Sequence, residues 1–390
     1  MNSPEDSVAP SGFAAALALR PAWVEIDVAQ WRRNWALIRA EMPHGLGFIA
    51  VVKDDAYGHG MLIAARLAFE HGALALAVPT LAEAVALREA GLDAPILLLG
   101  PRHPSELDLC VRHALTCTIA EEADIAPLAS AAARAGRQAA VHLKINTGMN
   151  RYGVAPENAV ALAHAILAEP ALRLEGVFSH FAQSDERDKT FADVQLERFR
   201  SALAQLAAAG VRVPRRHLCN SGGYLDLPRA HFDAVRLGIL PLGVYPSQVC
   251  RRIPGLAPVL SVKARIAALQ SLAPGEHVGY GMRFTAATPR RIAVLPLGYG
   301  DGFPRVRNEG DVLLRGRRAP IVGGVSMDAL FVDVTDVPGV ERGDVATLLG
   351  RDGAEEITAH DLAALKRSVS YDLLCAWRAR LPRHMSRASG

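Results

Sequence analysis

Between about residues 47 and 240 the chain alternates between two textures. Short apolar runs, which read as buried strands, are followed by alanine- and leucine-rich stretches whose apolar positions recur at helical spacing. The runs are GFIAVV (47–52), LALAVPT (74–80), APILLLG (94–100), LTCTIA (115–120), AAVHLKINTG (139–148), LEGVFSHFA (174–182), RHLCNS (216–221) and FDAVRLGI (232–239). Between them stand helix candidates such as LAEAVALREAG and FADVQLERFRSALAQLAAAG, the second stopped at Gly210. Continuous apolar strands belong to parallel sheets buried on both faces, and parallel neighbours need a crossover helix. Eight such units in roughly 200 residues predict a (β/α)8 barrel. A doubly wound open sheet is the alternative, but it usually has fewer strands.

After Pro241 the pattern changes. VLSVKARIAALQSL, RIAVLPLG, DVLLRGRRAPIVGG, ALFVDVTDV and DVATLLG read as strands broken by Gly, Pro and Asp, and only TAHDLAALKRS reads as a helix. The expected fold is therefore α/β: a TIM-type (β/α)8 barrel over 21–245, then a mostly β domain over 246–390. The early run AWVEIDV (22–28) has no obvious barrel partner and is a candidate strand of the β domain. Residues 1–20 put acids ahead of a short alanine-leucine segment and lack a basic leader, so they read as a disordered tail and not a signal peptide.

In a barrel the chemistry gathers at the C-terminal ends of the strands. The polar residues that end the runs are Lys53; Lys144 with NTGMNR and Arg151; His180; Asn220 and Ser221; and Arg236 with Gly238. Singly, each has an ordinary explanation: a solvated stop, a structural histidine, a surface arginine, a helix start at Asn220–Ser221. Delivered together to one rim they point to a phosphate-bearing ligand, with NSGG and RLGI offering backbone N–H groups. A desolvated lysine beside other cations loses its proton readily and can form a Schiff base with a carbonyl. A phosphate site with such a lysine suggests pyridoxal phosphate.

Composition narrows the field. Half of the 390 residues are hydrophobic and 21% charged, enough for a large core. A net charge of +3 with interspersed signs gives no case for nucleic acid or an anionic membrane. No apolar run reaches the roughly 18 to 20 residues needed to span a bilayer. The five cysteines are odd in number and hold no CxxC pair, which implies neither a disulfide framework nor zinc and suits a reducing cytoplasm. No His/Asp/Glu cluster has ligand spacing at the strand ends, so no metal is expected.

AVVKDDAYGHG resembles the cofactor-lysine signature of the alanine racemases. HLKINTGMNRYGV, VFSHFAQSDE, CNSGG, VRLGILPLGVYP, VGYGMRFTA, LPLGYGDGFPR, VGGVSMDALFVDV and VSYDLL follow in that family's order, so the resemblance covers roughly 21 to 385 through nine segments. It implies a barrel with a C-terminal β domain, and a head-to-tail homodimer whose active sites use both chains. Lys53 should hold pyridoxal 5'-phosphate. Tyr57, Ser221, Gly238, Ile239 and Tyr371 match phosphate-binding positions, and Arg236 the residue facing the pyridine nitrogen. Arg151 matches the residue beside the ring oxygen and the substrate carboxylate. His180 matches the partner of a second catalytic base, Tyr280 of the other subunit. The backbone around Met327, also from the other subunit, should bind the substrate carboxylate. Lys144 matches a position carbamylated in many members, and Asn220 and Asp328 stand as supporting residues.

The physical logic agrees with the match. Racemisation takes the α-proton from one face and returns one to the other, which suits two opposed bases, Lys53 and Tyr280. A tyrosine with an ordinary pKa near ~10 needs help to act as a base, and a chain Tyr280–His180–Arg236 supplies it. An arginine is a poor proton donor to the ring nitrogen, which limits side reactions such as transamination. The activity the resemblance implies is racemisation of an amino acid, alanine first, with D-alanine feeding either peptidoglycan precursors or amino-acid catabolism. A racemase of serine or other amino acids, and a non-racemising protein of the same barrel type, are the alternatives. Departures from the usual pattern are Asp54-Asp55, Asn146, Leu237, Ser326 and the Met282-Arg283 loop; none removes a catalytic group.

Overall fold

The computed structural model describes residues 12 to 386. The expected tail lies outside the described residues up to residue 11; Gly12–Ala18 forms a short helix. Trp31–Ala257 makes one compact unit, and the chain before it together with the chain from Pro258 onward makes the other.

In the first strand, β1 (Ala22–Asp27), buried and half-buried positions alternate. The next eight strands form the unit Trp31–Ala257: β2 (Gly47–Val51), β3 (Ala75–Val78), β4 (Ile96–Leu98), β5 (Cys117–Ile119), β6 (Ala139–Lys144), β7 (Leu172–Phe178), β8 (Arg216–His217) and β9 (Ala234–Leu237). All of the ladders among them are parallel. Two junctions close the ring. Leu98 N–H donates to Thr116 O (2.9 Å) and Thr116 N–H to Ile96 O (2.8 Å), joining β4 to β5. Asp233 N–H donates to Arg216 O (3.1 Å) and Arg236 N–H to Cys219 O (2.9 Å), joining β8 to β9. Each predicted run is thus a strand of a closed (β/α)8 barrel. The long helix Thr190–Ala208 ends where Gly210 turns left-handed at φ +72°.

Register shows how the barrel is filled. Residues paired across parallel strands share a face. Arg236 is level with Ile49, Ile49 with Ala75, Ala77 with Leu97, and Leu97 with Thr116. Around the other half, Thr118 is level with His142, His142 with Gly176, Lys144 with Phe178, and Phe178 with His217. The β2–β4 stretch of the common face is therefore largely apolar, while β6, β8 and β9 place His142, Lys144, His217 and Arg236 on it. All four are buried.

In the second unit one twisted sheet runs through β1. It pairs antiparallel with β10 (Leu260–Arg265), Val24 opposite Val262, and parallel with β20 (Arg383–Ser386). The sheet order is β11 (Ala268–Leu272), β14 (Arg290–Leu295), β17 (Leu330–Asp333), β16 (Arg317–Val322), β15 (Asp311–Leu314), β18 (Val345–Asp352), β10, β1, β20, with β19 (Glu355–Ile357) on β18. A small hairpin, β12 (His277–Val278) with β13 (Phe284–Thr285), stands apart from this sheet. Thr358 and Asp361 form a reciprocal capping box on the helix Ala359–Leu365, the one expected here; a second helix, Ser370–Cys375, follows it.

Candidate active site

Lys53 lies two residues beyond the end of β2, and the chain then turns the wrong way for an L-peptide. Asp54, Asp55, Ala56 and Tyr57 all sit at φ between 51° and 55°. Left-handed backbone costs roughly 1–2 kcal/mol per residue outside Gly, Asn and Asp, so Ala56 and Tyr57 are strained. Local bonds hold the turn. Asp54 N–H donates to Glu83 Oε1 (2.6 Å), whose carboxylate also caps the helix Leu81–Glu89 through Thr80. Asp55 Oδ1 accepts from Met61 N–H (2.7 Å) at the start of the next helix, and Gly60 N–H donates to Asp55 O (2.8 Å). The unusual Asp54-Asp55 pair thus has a structural role on each side of the turn.

The turn lays Tyr57 beside Lys53, with Nζ 5.8 Å from the ring centre, and buries the phenol against the end of β9. A Cβ at Gly238 would stand 2.4 Å from the Tyr57 hydroxyl, so that approach needs glycine. Gly238 N–H donates to Ser221 Oγ (3.3 Å), and Asn220 caps the turn after Ser221 through Gly223 N–H (2.9 Å). Tyr57, Ser221, Gly238 and the adjoining Ile239 therefore converge, although they come from the ends of three strands.

Beneath them lies a cationic cluster. Buried Arg236 donates through NH2 to His180 Nδ1 (2.8 Å), Ser179 O (2.8 Å) and Leu218 O (2.9 Å), and through NH1 to His217 Nδ1 (2.9 Å). Burial, with Arg151 adding, pushes Arg236 down to about 10; it is still charged at neutral pH. Burial first, then the Arg236 charge, holds His180 well below the ordinary histidine range, so its ring is neutral. Lys144 points between the Phe178 and Tyr152 rings at 5.1 and 5.4 Å. Burial, then Arg151 and Arg236, push it down to about 7. Arg151 follows a loop pinned by Asn146, whose Oδ1 accepts from Gly148 N–H (3.1 Å) and Asn150 N–H (3.0 Å). Buried Gln195 ties the β6 and β7 loops together, donating to Thr147 Oγ1 (3.1 Å) and His180 O (2.9 Å).

The Lys144 shift has a measurable sign. Unfolded, Lys144 keeps its proton up to about 10.5; folded, only up to about 7. Between these values the unfolded state binds more protons, so folding gains stability as pH rises. The gain expected from this group is roughly 3–5 kcal/mol across that window. Denaturant unfolding with carbon dioxide excluded should show it in the wild type and not in Lys144→Met. Identical pH slopes in the two proteins would contradict the burial of an uncharged amine.

The other unit carries Tyr280, Met327, Asp328 and Tyr371. Tyr280 tops the β12–β13 hairpin between Gly279 and Gly281, both at φ +72°, and is 83% exposed. Met327 is 51% exposed at the tip of a tight loop in which Ser326 N–H and Oγ both donate to Ala329 O (2.8 and 2.7 Å). Gly300 N–H donates to Met327 O (2.9 Å), and Asp328 pairs with Arg380. Tyr371 lies half-buried in the helix Ser370–Cys375. Asp301, which the sequence reading did not single out, is fully buried. It accepts a bidentate pair from Arg20 (2.7 and 2.8 Å) and Gly298 N–H (3.0 Å), bracing the loop that meets Met327. His142 and His217 sit inside strand runs, where the sequence pattern alone does not mark them out.

The likeness to known proteins covers both units. The alanine racemase N-terminal domain profile matches residues 26–246 and the alanine racemase C-terminal domain profile matches 259–385. An alanine racemase of Syntrophobacter fumaroxidans is 43% identical over 356 residues, covering 91% of this chain and 95% of that protein. One from Halothermothrix orenii is 37% identical over 372 residues, covering 95% and 98%. Among solved structures, the alanine racemase of Streptomyces coelicolor superposes with a TM-score of 0.89 at 36% identity, covering 96% of this chain and all of that one. The Bacillus anthracis alanine racemase with bound L-Ala-P superposes at 0.88 with 31% identity, covering 95% and 96%. The chain belongs to the alanine racemase family.

Proposed function

We propose that this chain interconverts L- and D-alanine with pyridoxal 5'-phosphate, as a homodimer whose active sites draw on both subunits. The observation that carries the proposal is the convergence of Lys53, Tyr57, Ser221, Gly238 and the Arg236–His180 pair at the C-terminal rim of one barrel. These residues fit the cofactor. Lys53 supplies an amine for its aldehyde, and Tyr57 and Ser221 supply hydroxyls for its phosphate around a Gly238 that admits no Cβ. Ile239 adjoins Gly238 and belongs to the same set. Arg236, a donor-only side chain, would face the ring nitrogen and keep its own protons. When bound, the cofactor withdraws electrons from the substrate α-carbon.

The protein's own part is to orient the substrate and move protons. Lys53 serves one face of the α-carbon. Tyr280 of the partner subunit serves the other, with its hydroxyl held by neutral His180, whose Nδ1 is engaged by Arg236. Arg151 and the backbone at the partner subunit's Met327 hold the substrate carboxylate. The exposure of Tyr280 and Met327 in the single chain supports this reading, because each side chain is left for another surface to cover. Lys144, pushed down to about 7 and so substantially deprotonated at neutral pH, is nucleophilic enough to take up carbon dioxide as a carbamate and brace Arg151. No disulfide joins the cysteines of the described residues, and no described helix is long and apolar enough to cross a membrane. A cytoplasmic enzyme supplying D-alanine for peptidoglycan precursors agrees with both.

Offering L-alanine, L-serine and L-lysine separately to the purified holoenzyme, with chiral analysis of the products, tests the proposal. The expected result is D-alanine formed far faster than D-serine or D-lysine. Comparable rates with several would mean a broader racemase shaped by the Ser326 and Met282 loops. No conversion with the cofactor bound would favour a non-racemising protein.

A further inference from the structure

The buried polar stretch of the barrel continues below Arg236, past the residues proposed to act in the reaction. Arg236 NH1 lies 2.9 Å from His217 Nδ1, and His217 Nε2 lies 2.9 Å from His142 Nδ1. His217 is fully buried, His142 and Arg236 nearly so, and Phe178 stacks on the His217 ring at 4.9 Å.

The protons in this row can be assigned by donor and acceptor count alone. A guanidinium only donates. His217 Nδ1 must therefore accept, which puts the His217 proton on Nε2. That N–H then donates to His142 Nδ1, so His142 carries its own proton on Nε2. Both rings are then neutral, and their surroundings favour that state. Burial, then Arg215 and Arg236, push His142 down to about 3. Burial, then Arg236, with His142, Arg215 and Lys144 adding, hold His217 well below the ordinary range.

The barrel is also shaped to admit His142. The β6–β7 register slips by one residue beside it, bringing Gly176 opposite the ring. A Cβ at Gly176 would stand 2.8 Å from His142 Cε1 and 2.9 Å from Nε2. A bulge and a glycine at the same level leave the imidazole in the place from which it meets His217.

We propose that His142 is a positioning residue for the reaction: by accepting the Nε2 proton of His217 it locks His217 in the tautomer whose Nδ1 lone pair holds Arg236. The proposal rests on the reading that Arg236 faces the cofactor ring. Without an acceptor at His142, the buried His217 N–H loses its partner. The alternative tautomer then sets N–H against N–H at Arg236, which displaces the guanidinium and, through NH2, His180 as well.

The test uses holoenzyme labelled with 15N-histidine. Long-range proton–nitrogen correlation spectra should show Nε2 protonated and Nδ1 bare in His142 and His217. Two variants accompany it. His142→Leu removes the acceptor; His142→Asn places an amide oxygen near the position of Nδ1. His142→Leu should lower kcat about 10- to 100-fold with a smaller change in KM, and should disturb the His217 tautomer. His142→Asn should preserve that tautomer and recover most of the rate. A His217 ring in the wild type that is cationic or protonated on Nδ1 overturns the proposal, whether or not the variants fold. So does His142→Leu with an unaltered tautomer and rate, or His142→Asn that folds like the wild type and loses as much as His142→Leu. A wild-type enzyme that racemises nothing would instead overturn the proposed function, and the spectra would still report on the histidine row.

Discussion

Lys53→Ala should leave a folded protein that no longer holds its cofactor covalently and racemises alanine at least ~1,000-fold more slowly. Loss of the amine removes both the attachment point and one of the two proposed bases. Lys144 belongs to the same cationic cluster but does not replace Lys53. It is buried between two rings and committed to the arginine side of the site, whereas Lys53 stands at the head of the turn that delivers Tyr57. The substitution leaves the left-handed turn intact, because Glu83, Asp55 and Gly60 hold it through main-chain bonds of the following residues. The visible absorbance of the bound cofactor, and the mass of the protein after borohydride reduction, measure the outcome. A full wild-type band with normal covalent retention would remove Lys53 from its proposed role.

The second large effect is expected from Tyr280→Phe. This substitution deletes one oxygen from a residue whose position is set by the glycines on either side and by the β12–β13 hairpin. Cofactor binding should be nearly unchanged, because nothing proposed to bind it is touched. Proton transfer on the face served by tyrosine should fall by about 10²- to 10⁴-fold. Isotope effects with α-deuterated L- and D-alanine separate the two faces: the slowed step should carry the larger effect in one direction only. Wild-type rates in both directions would leave the two-base scheme without its second base.

The parts of this fold that follow from pattern are legible in the sequence. Eight apolar runs became eight barrel strands, and the polar residues at their ends did gather: Arg236 reaches His180, Gly238 reaches Ser221, and Tyr57 abuts Gly238. What could not be read was pairing. No period in the sequence says that β1 meets β10 and β20, because that register joins segments more than two hundred residues apart. Nor does it say that Arg20 reaches Asp301. His142 and His217 show the same gap inside a single barrel. Each looks like an incidental polar residue in an apolar run, and only the register, with a bulge at Gly176, places them in one row with Arg236. The left-handed turn after Lys53 had a partial signal in Asp54-Asp55, residues that tolerate that conformation, but none in Ala56 or Tyr57.

The central claim is that each active site combines a lysine from one subunit with a tyrosine from another. Mixing Lys53→Ala with Tyr280→Phe subunits, under conditions that exchange them, tests it most directly. In a mixed dimer one of the two sites then carries both lesions and the other carries neither. Hybrids verified by a tag on each subunit should regain up to about half of wild-type alanine racemisation when every dimer is mixed. Verified hybrids no more active than either parent would contradict a shared site.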